Sequence, residues 1–136
     1  MKTYSTTITV EAEHLDKGDH ANWRSQLGIA EDVHHAFRDQ IGIGLERLKE
    51  QHRLFLVMRH VRDVFYRQQL RLGDVITVTM TLWIASRTAV EFHCLFHKEE
   101  RVATEMSWVM PLVSSTSERP TKIPDWMIEI IGLEKP

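Results

Sequence analysis

Four ionisable side chains, His14, Asp16, Asp19 and His20, fall within seven residues, directly ahead of a segment with helical periodicity. A helix start presents unpaired backbone N–H groups and a partial positive charge, so it can bind an anion or polarise a carbonyl oxygen. A carboxylate beside such a start, Asp16, is placed to act as a nucleophile or as a general base on water. His20 is placed to shuttle a proton or to orient a substrate. These parts suit acyl transfer. The same residue types are also ordinary helix caps and turn formers, so spacing alone leaves both readings open.

A second carboxylate, Glu31, lies eight residues after Trp23, with His34 and His35 three and four residues beyond it. Close to a core-facing stripe it is a buried carboxylate with a raised pKa; on the helix surface it is a partner for His35. Arg59, Arg62, Arg67, Arg71 and Arg87 can meet the phosphates of a nucleotide-bearing substrate, or can lie along solvated strand edges. No metal site is expected. There is no HExxH and no cysteine pair among the eight histidines and one cysteine, and His93 and His97 stand about 13 Å apart on an extended strand. Cys94 shares a face with Val90, Phe92 and Phe96 and reads as a small buried hydrophobe. Trp23, Trp83, Trp108 and Trp126 read as core or interface anchors.

Positioning these groups requires a scaffold, and the hydrophobic periods supply one. Residues 4–13 alternate with Ile8, Val10 and Ala12 on one side, which predicts a first strand. Trp23, Leu27, Ala30, Val33 or His34, Phe37 and Ile41 recur at spacings of three and four. They predict a helix that Asn22 caps and Gly42 or Gly44 ends, about 28 Å long at about 1.5 Å per residue. From His52 onward the period becomes two. Strands are predicted within 53–67, over 75–85 with Ile76, Val78, Met80, Leu82 and Ile84 on one face, and over 88–97 and 101–112. Lys98-Glu99-Glu100 joins the last two without the usual glycine. A short amphipathic tail follows Pro124. Strand, long helix and four strands imply an α+β layer, one antiparallel sheet covering one helix.

The composition agrees. With 136 residues, 17 Lys+Arg against 19 Asp+Glu, a net charge of −2 and a hydrophobic fraction of 43%, the chain has the makings of one ordinary globular domain. The near-neutral balance argues against a nucleic-acid partner, and no run approaches the ~20 apolar residues of a membrane span. No signal-peptide pattern opens the chain, and a lone cysteine fits a reducing cytoplasm. At this size an active site often needs a second copy of the chain.

Three motifs in order now resemble a known family. Asp16-Lys17-Gly18-Asp19-His20-Ala21-Asn22-Trp23 resembles the D-x-x-G-H-V-N-N signature of hotdog-fold acyl-CoA thioesterases of the 4-hydroxybenzoyl-CoA thioesterase type. Tyr66-Arg67-Gln68-Gln69-Leu70-Arg71-Leu72-Gly73-Asp74 is similar to its Y-x-x-P-x-x-x-G-D element, and Lys122-Ile123-Pro124 to its closing basic-x-P. The resemblance implies a five-stranded antiparallel sheet wrapped around one long central helix, with residues 1–136 as a single hotdog thioesterase-like domain. It implies a homodimer that can pair into a dimer of dimers, and hydrolysis of acyl-CoA to free acid and CoA without metal or cofactor. By position, Asp16 matches the family's acid, His20 the following His, Asn22 the first Asn, and Trp23 the residue whose N–H polarises the thioester carbonyl. Glu31 is the second candidate, since some relatives carry their carboxylate on the helix. Tyr66, Arg59 and Arg87 are the candidate substrate contacts. Asp19 stands where the family has Gly, Trp23 where it has Asn, and Gln69 where it has Pro. A second carboxylate beside Asp16 is expected to push one pKa upward. These departures keep a different class of function in view, a non-catalytic module binding acyl-CoA or an acyl-carrier protein.

Overall fold

The computed structural model describes all 136 residues. Period-two alternation decides most of it. In β4 (Val75–Ile84) the side chains of Ile76, Val78, Met80 and Leu82 are fully buried. β5 (Ala89–Lys98) buries Val90, Phe92, Cys94 and Phe96 on the same side, and β6 (Arg101–Ser114) completes an antiparallel meander with them. β5 and β6 meet in a tight turn where Glu99 and Glu100 both take positive φ, 51° and 65°. A two-residue turn that matches strand twist demands this, and glycine or asparagine usually supplies it.

β1 (Lys2–Thr9) pairs antiparallel with the outer edge of β4. It stops short of the expected 4–13 because Ala12–His14 wind into a 3₁₀ turn that leaves Ala12 exposed. The opposite edge corrects the five-strand expectation. The segment 53–67 forms two strands: β2 (Leu54–Leu56) against Leu112–Ser114, and β3 (His60–Tyr66) against Thr104–Val109. Val57 and Arg59 still donate to Pro111 and Val109 at 3.1 and 3.2 Å, so one edge line is interrupted rather than abandoned. The sheet has six strands, ordered β1-β4-β5-β6 with β2 and β3 sharing the last edge.

The long helix α1 runs over Trp23–Ile41 and buries Gln26, Ile29, Ala30, Val33, His34, Phe37 and Arg38. It lies on the sheet through aromatic contacts: Phe37 stacks on Tyr4 at 5.5 Å, and His34 meets Phe92 edge-on at 4.5 Å. Burying one such aromatic or aliphatic side chain stabilises the fold by about 1.5–3 kcal/mol. The buried stripe is turned from the expected one. Trp23 is 65% exposed and Leu27 36%, because polar Gln26 and Arg38 find internal partners and take inward positions. Gly42 ends α1 at φ 85°, its N–H reaching the carbonyls of Arg38 and Asp39. The helix is not alone. A short α2 (Leu45–Arg47) leads into a π-helical turn at Leu48–His52, and α3 (Asp125–Ile131) buries Met127 and Ile131. No helix is long and apolar enough to cross a membrane.

Candidate active site

The loop before α1 is built around Gly18. Asp16 Oδ1 accepts from the Gly18 N–H at 2.7 Å, and a Cβ on Gly18 would stand 3.1 Å from that oxygen and 3.3 Å from the His20 ring. Asp16 and His20 therefore flank one small residue. The loop is stapled to the segment after β3: Ala21 N–H donates to Leu70 at 2.6 Å, His20 bridges to Arg71, and Arg71 Nη1 lies 2.7 Å from Asp19 Oδ2. Asp74 holds this second segment, accepting from the Arg71 N–H at 2.7 Å and from Lys98 at 2.8 Å. Two distant motifs thus close on each other, and between them lies a cavity of about 410 Å³ lined by Asp16, His20, Asn22, Trp23, Gln26, Tyr66, Arg67, Gln68 and Gln69.

The start of α1 forms one wall. Asn22 Oδ1 caps the Ser25 N–H at 2.8 Å, and the Asn22 carbonyl takes the Gln26 N–H at 3.1 Å. The N–H groups of Trp23 and Arg24 are left without a protein partner, as expected of a first helical turn. Gln26 was not foreseen as part of this wall. It is 4% exposed, accepts from the Thr104 hydroxyl and donates to the Ala21 carbonyl at 3.4 Å, tying helix, loop and β6 together. Its signal in the sequence is a polar residue one turn after the cap, inside an otherwise apolar stripe.

Several expectations are corrected here. Asp19 does not acquire a raised pKa: the Arg71 guanidinium beside it holds its carboxyl below the usual value. Burial raises the Tyr66 phenol. Glu31 does not share the Asp16 cavity. It is exposed, pairs with neither His34 nor His35, and borders a separate apolar cleft of about 390 Å³ between α1 and the β2–β3 edge. Arg59 sits in the gap between β2 and β3 and Arg87 in the turn after β4, and neither lines the cavity. Strand direction explains Arg87: the cavity lies where β4 begins and Arg87 where it ends. Of the remaining arginines, Arg62, Arg67 and Arg71 are engaged with Glu91, Glu105 and Asp19, so no unpaired arginine cluster forms. Arg67 alone borders the cavity, and it also lies 5.0 Å over the Phe65 ring.

A curled antiparallel sheet holding a helix in this way is the hotdog architecture of thioesterases, and solved structures share it. A hypothetical protein from Staphylococcus aureus, determined in complex with CoA, superposes with a TM-score of 0.86 at 23% identity, over 96% of this chain and 82% of that one. A 1,4-dihydroxy-2-naphthoyl-CoA thioesterase from Synechocystis gives a TM-score of 0.85 at 14% identity, over 99% and 100%. A 12:0-ACP thioesterase from Umbellularia californica gives 0.85 at 13%, over 98% of this chain and 55% of that chain. No curated protein matches in sequence. The family model of the thioesterase-like superfamily matches residues 10–131, and the chain belongs to that superfamily.

Proposed function

We propose that the protein is an acyl-CoA thioesterase, with residues 1–136 acting as one hotdog thioesterase-like domain. One observation carries the reading: Asp16 and Trp23, whose N–H is free, border the same cavity at the start of a helix. The thioester carbonyl oxygen accepts from the Trp23 N–H, where the helix start favours the negative charge that develops on it. Asp16 either attacks the carbonyl carbon or takes a proton from the water that does. The C–S bond then breaks and CoA leaves as thiol; where Asp16 has attacked, water next cleaves the acyl–Asp16 anhydride and restores the carboxylate, and on either route the acyl group leaves as free acid. Asn22 fixes the helix start, His20 lies beside Asp16 to relay the proton, and Tyr66 closes the far wall. The chemistry needs no cofactor. The CoA complex of the Staphylococcus neighbour and the name of the Synechocystis one support the substrate class.

The test is thiol release from a panel of acyl-CoA and acyl-carrier-protein esters. Asp16→Asn should lower hydrolysis by at least about a hundredfold, the range of a lost acid–base group, with thermal unfolding unchanged. An undiminished rate in that variant refutes the assignment. Glu31→Gln is the companion, because Glu31 borders a cleft of its own; loss of turnover there, with Asp16→Asn active, moves the chemistry to the helix. A second reading, a non-catalytic acyl-binding module, draws on Asp16 Oδ1 and Asp19 already being engaged by Gly18 and Arg71. Binding of esters without thiol release for any of them would favour it.

We also propose a homodimer formed along β3, which pairs only with β6 and leaves Val61, Phe65 and Tyr66 about half exposed on a free edge. Unpaired edges of this kind invite a second strand. Sedimentation analysis reads the outcome, including dimers pairing into tetramers. A reducing cytoplasm is the proposed compartment.

A further inference from the structure

We propose that Arg71 is a positioning residue of the Asp16 site: its guanidinium cancels the negative charge that Asp19 brings beside Asp16, and so keeps that charge from opposing the chemistry at Trp23. This role rests on the hydrolysis proposed for Asp16, and Arg71 itself stands outside the cavity wall. Four carboxylates belong to the cavity and its supports: Asp16, Asp19, Asp74 and Glu105. Lys98 Nζ lies 2.8 Å from Asp74, Arg67 and His93 lie 3.1 and 3.0 Å from Glu105, and Arg71 Nη1 lies 2.7 Å from Asp19. Asp16 alone has no cation within ion-pair reach, and it accepts only from the Gly18 N–H.

A reactive carboxylate without a partner feels the charges around it. The point where a Gly18 Cβ would stand is 3.1 Å from Asp16 Oδ1 and 3.4 Å from His20 Nδ1, and His20 Nδ1 is 3.7 Å from Asp19 Oδ1. The two carboxylates are therefore within about 10 Å of each other, about one Debye length at 0.1 M salt. The Arg71 guanidinium holds the Asp19 carboxyl below its usual value, so Asp19 is fully charged at neutral pH. Left alone, that charge would oppose the negative charge that gathers on the thioester oxygen. Neither of its other neighbours answers it. His20 Nδ1 at 3.7 Å is beyond hydrogen-bond reach, and Lys17 pairs with neither carboxylate.

Exposed ion pairs are weak when two flexible side chains are held together by the pair alone. Arg71 is held from elsewhere. Its backbone N–H donates to Asp74 Oδ2 at 2.7 Å, its backbone bridges to His20, and its Nη2 donates to Gln69 Oε1 at 2.9 Å, which leaves Nη1 turned to Asp19. One guanidinium thus joins Asp19 and Gln69, two of the three positions at which the chain departs from the motifs it resembles. The extra carboxylate and the group that answers it occur together. Arg71 is half exposed and Asp19 more so, so the effect on the site is that of a partly screened charge.

Thiol release at saturating acyl-CoA tests this in the parent, Arg71→Met, Arg71→Lys, Asp19→Asn and the double variant Arg71→Met with Asp19→Asn. Arg71→Met keeps its backbone N–H for Asp74, which Lys98 continues to neutralise. Its kcat should fall about fivefold, the effect of one unit charge about 10 Å away across a partly wet rim. Arg71→Lys, which keeps the charge, and Asp19→Asn, which removes the need for it, should stay within about twofold of the parent. The double variant should recover the Asp19→Asn rate. In about 1 M potassium chloride, where the Debye length is about 3 Å, the Arg71→Met deficit relative to the parent should nearly vanish. Arg71→Gln repeats the test if Arg71→Met fails to fold. A merely structural role predicts a deficit that persists in salt and in the double variant, and either result overturns the proposal. An unchanged kcat in Arg71→Met beside an active parent also overturns it and leaves the hydrolysis reading standing. A parent that releases no thiol from any ester overturns both.

Discussion

Lowering the pH from 7 to 5 should weaken the fold by about 2 kcal/mol through His34 alone. His34 is 4% exposed, packed edge-on against Phe92 and Trp108 with Arg38 beside it. Burial first, then the Arg38 charge, then His35, lower its pKa from 6.5 to about 3. In the unfolded chain the imidazole is freed from all three and titrates near 6.5 again. Between those values the unfolded state binds a proton that the folded state refuses, so stability present above pH 6.5 drains away as the pH falls. Each pH unit in that window costs about 1.4 kcal/mol, which gives about 2 kcal/mol at pH 5 and at most about 5 kcal/mol near pH 3. Asp19, Asp74 and Glu105, all lowered by ion pairs or hydrogen bonds, also lose stabilisation in acid. Their unfolded values lie near 3.8 and 4.5, so a comparison stopped at pH 5 isolates the histidine. Urea unfolding followed by tryptophan fluorescence, at one chain concentration, reads the effect as a midpoint lower by roughly 1 M at pH 5. His34→Gln preserves an acceptor for Arg38 but cannot titrate, and should lose most of that midpoint shift. An equal shift in parent and variant would refute the reasoning.

Trp23→Pro removes the backbone N–H proposed to polarise the thioester, at a first helical position that tolerates proline; kcat should fall by about a hundredfold or more with little change in Tm. An unchanged kcat would remove that N–H from the mechanism. Gln26→Leu strands the Thr104 hydroxyl and the Ala21 carbonyl, and should cost about 1–3 kcal/mol in chemical denaturation. Glu99→Asn combined with Glu100→Gly relieves two positive-φ residues and should raise stability by about 1 kcal/mol, seen as a higher Tm.

β4 was legible because its alternation is unbroken from Val75 to Ile84, and the ends of α1 were legible because Asn22 and Gly42 do the local work of caps. Periodicity was a weaker guide to which face of α1 turns inward. It ranks side chains by apolarity, whereas Gln26 and Arg38 are buried by hydrogen bonds to Ala21 and Ile43, partners no helical spacing reveals. The broken edge at Val57–Arg59 was hidden for a similar reason, since Leu54–Met58 is apolar enough to read straight through. For the candidate site, the motif around Asp16 and the one ending at Asp74 could be read separately. That they close on one cavity is a long-range fact, and it is also why Asp19 meets Arg71 and why Arg59 and Arg87 fall elsewhere.

The pairing of β1 with β4 sets an order of assembly. Lys2–Thr9 finds its partner only across the 65 residues between Thr9 and Val75, whereas β4, β5 and β6 follow one another through short turns. Closing the long loop costs chain entropy before any contact repays it, so the meander is the expected nucleus, and β1 and α1 dock on it afterwards. The walls of the Asp16 cavity come from the two ends of that loop, residues 16–26 and 66–69. During synthesis the chain therefore exposes its apolar helix stripe and its unpaired first strand until the C-terminal half has emerged, the interval in which it is most prone to aggregate.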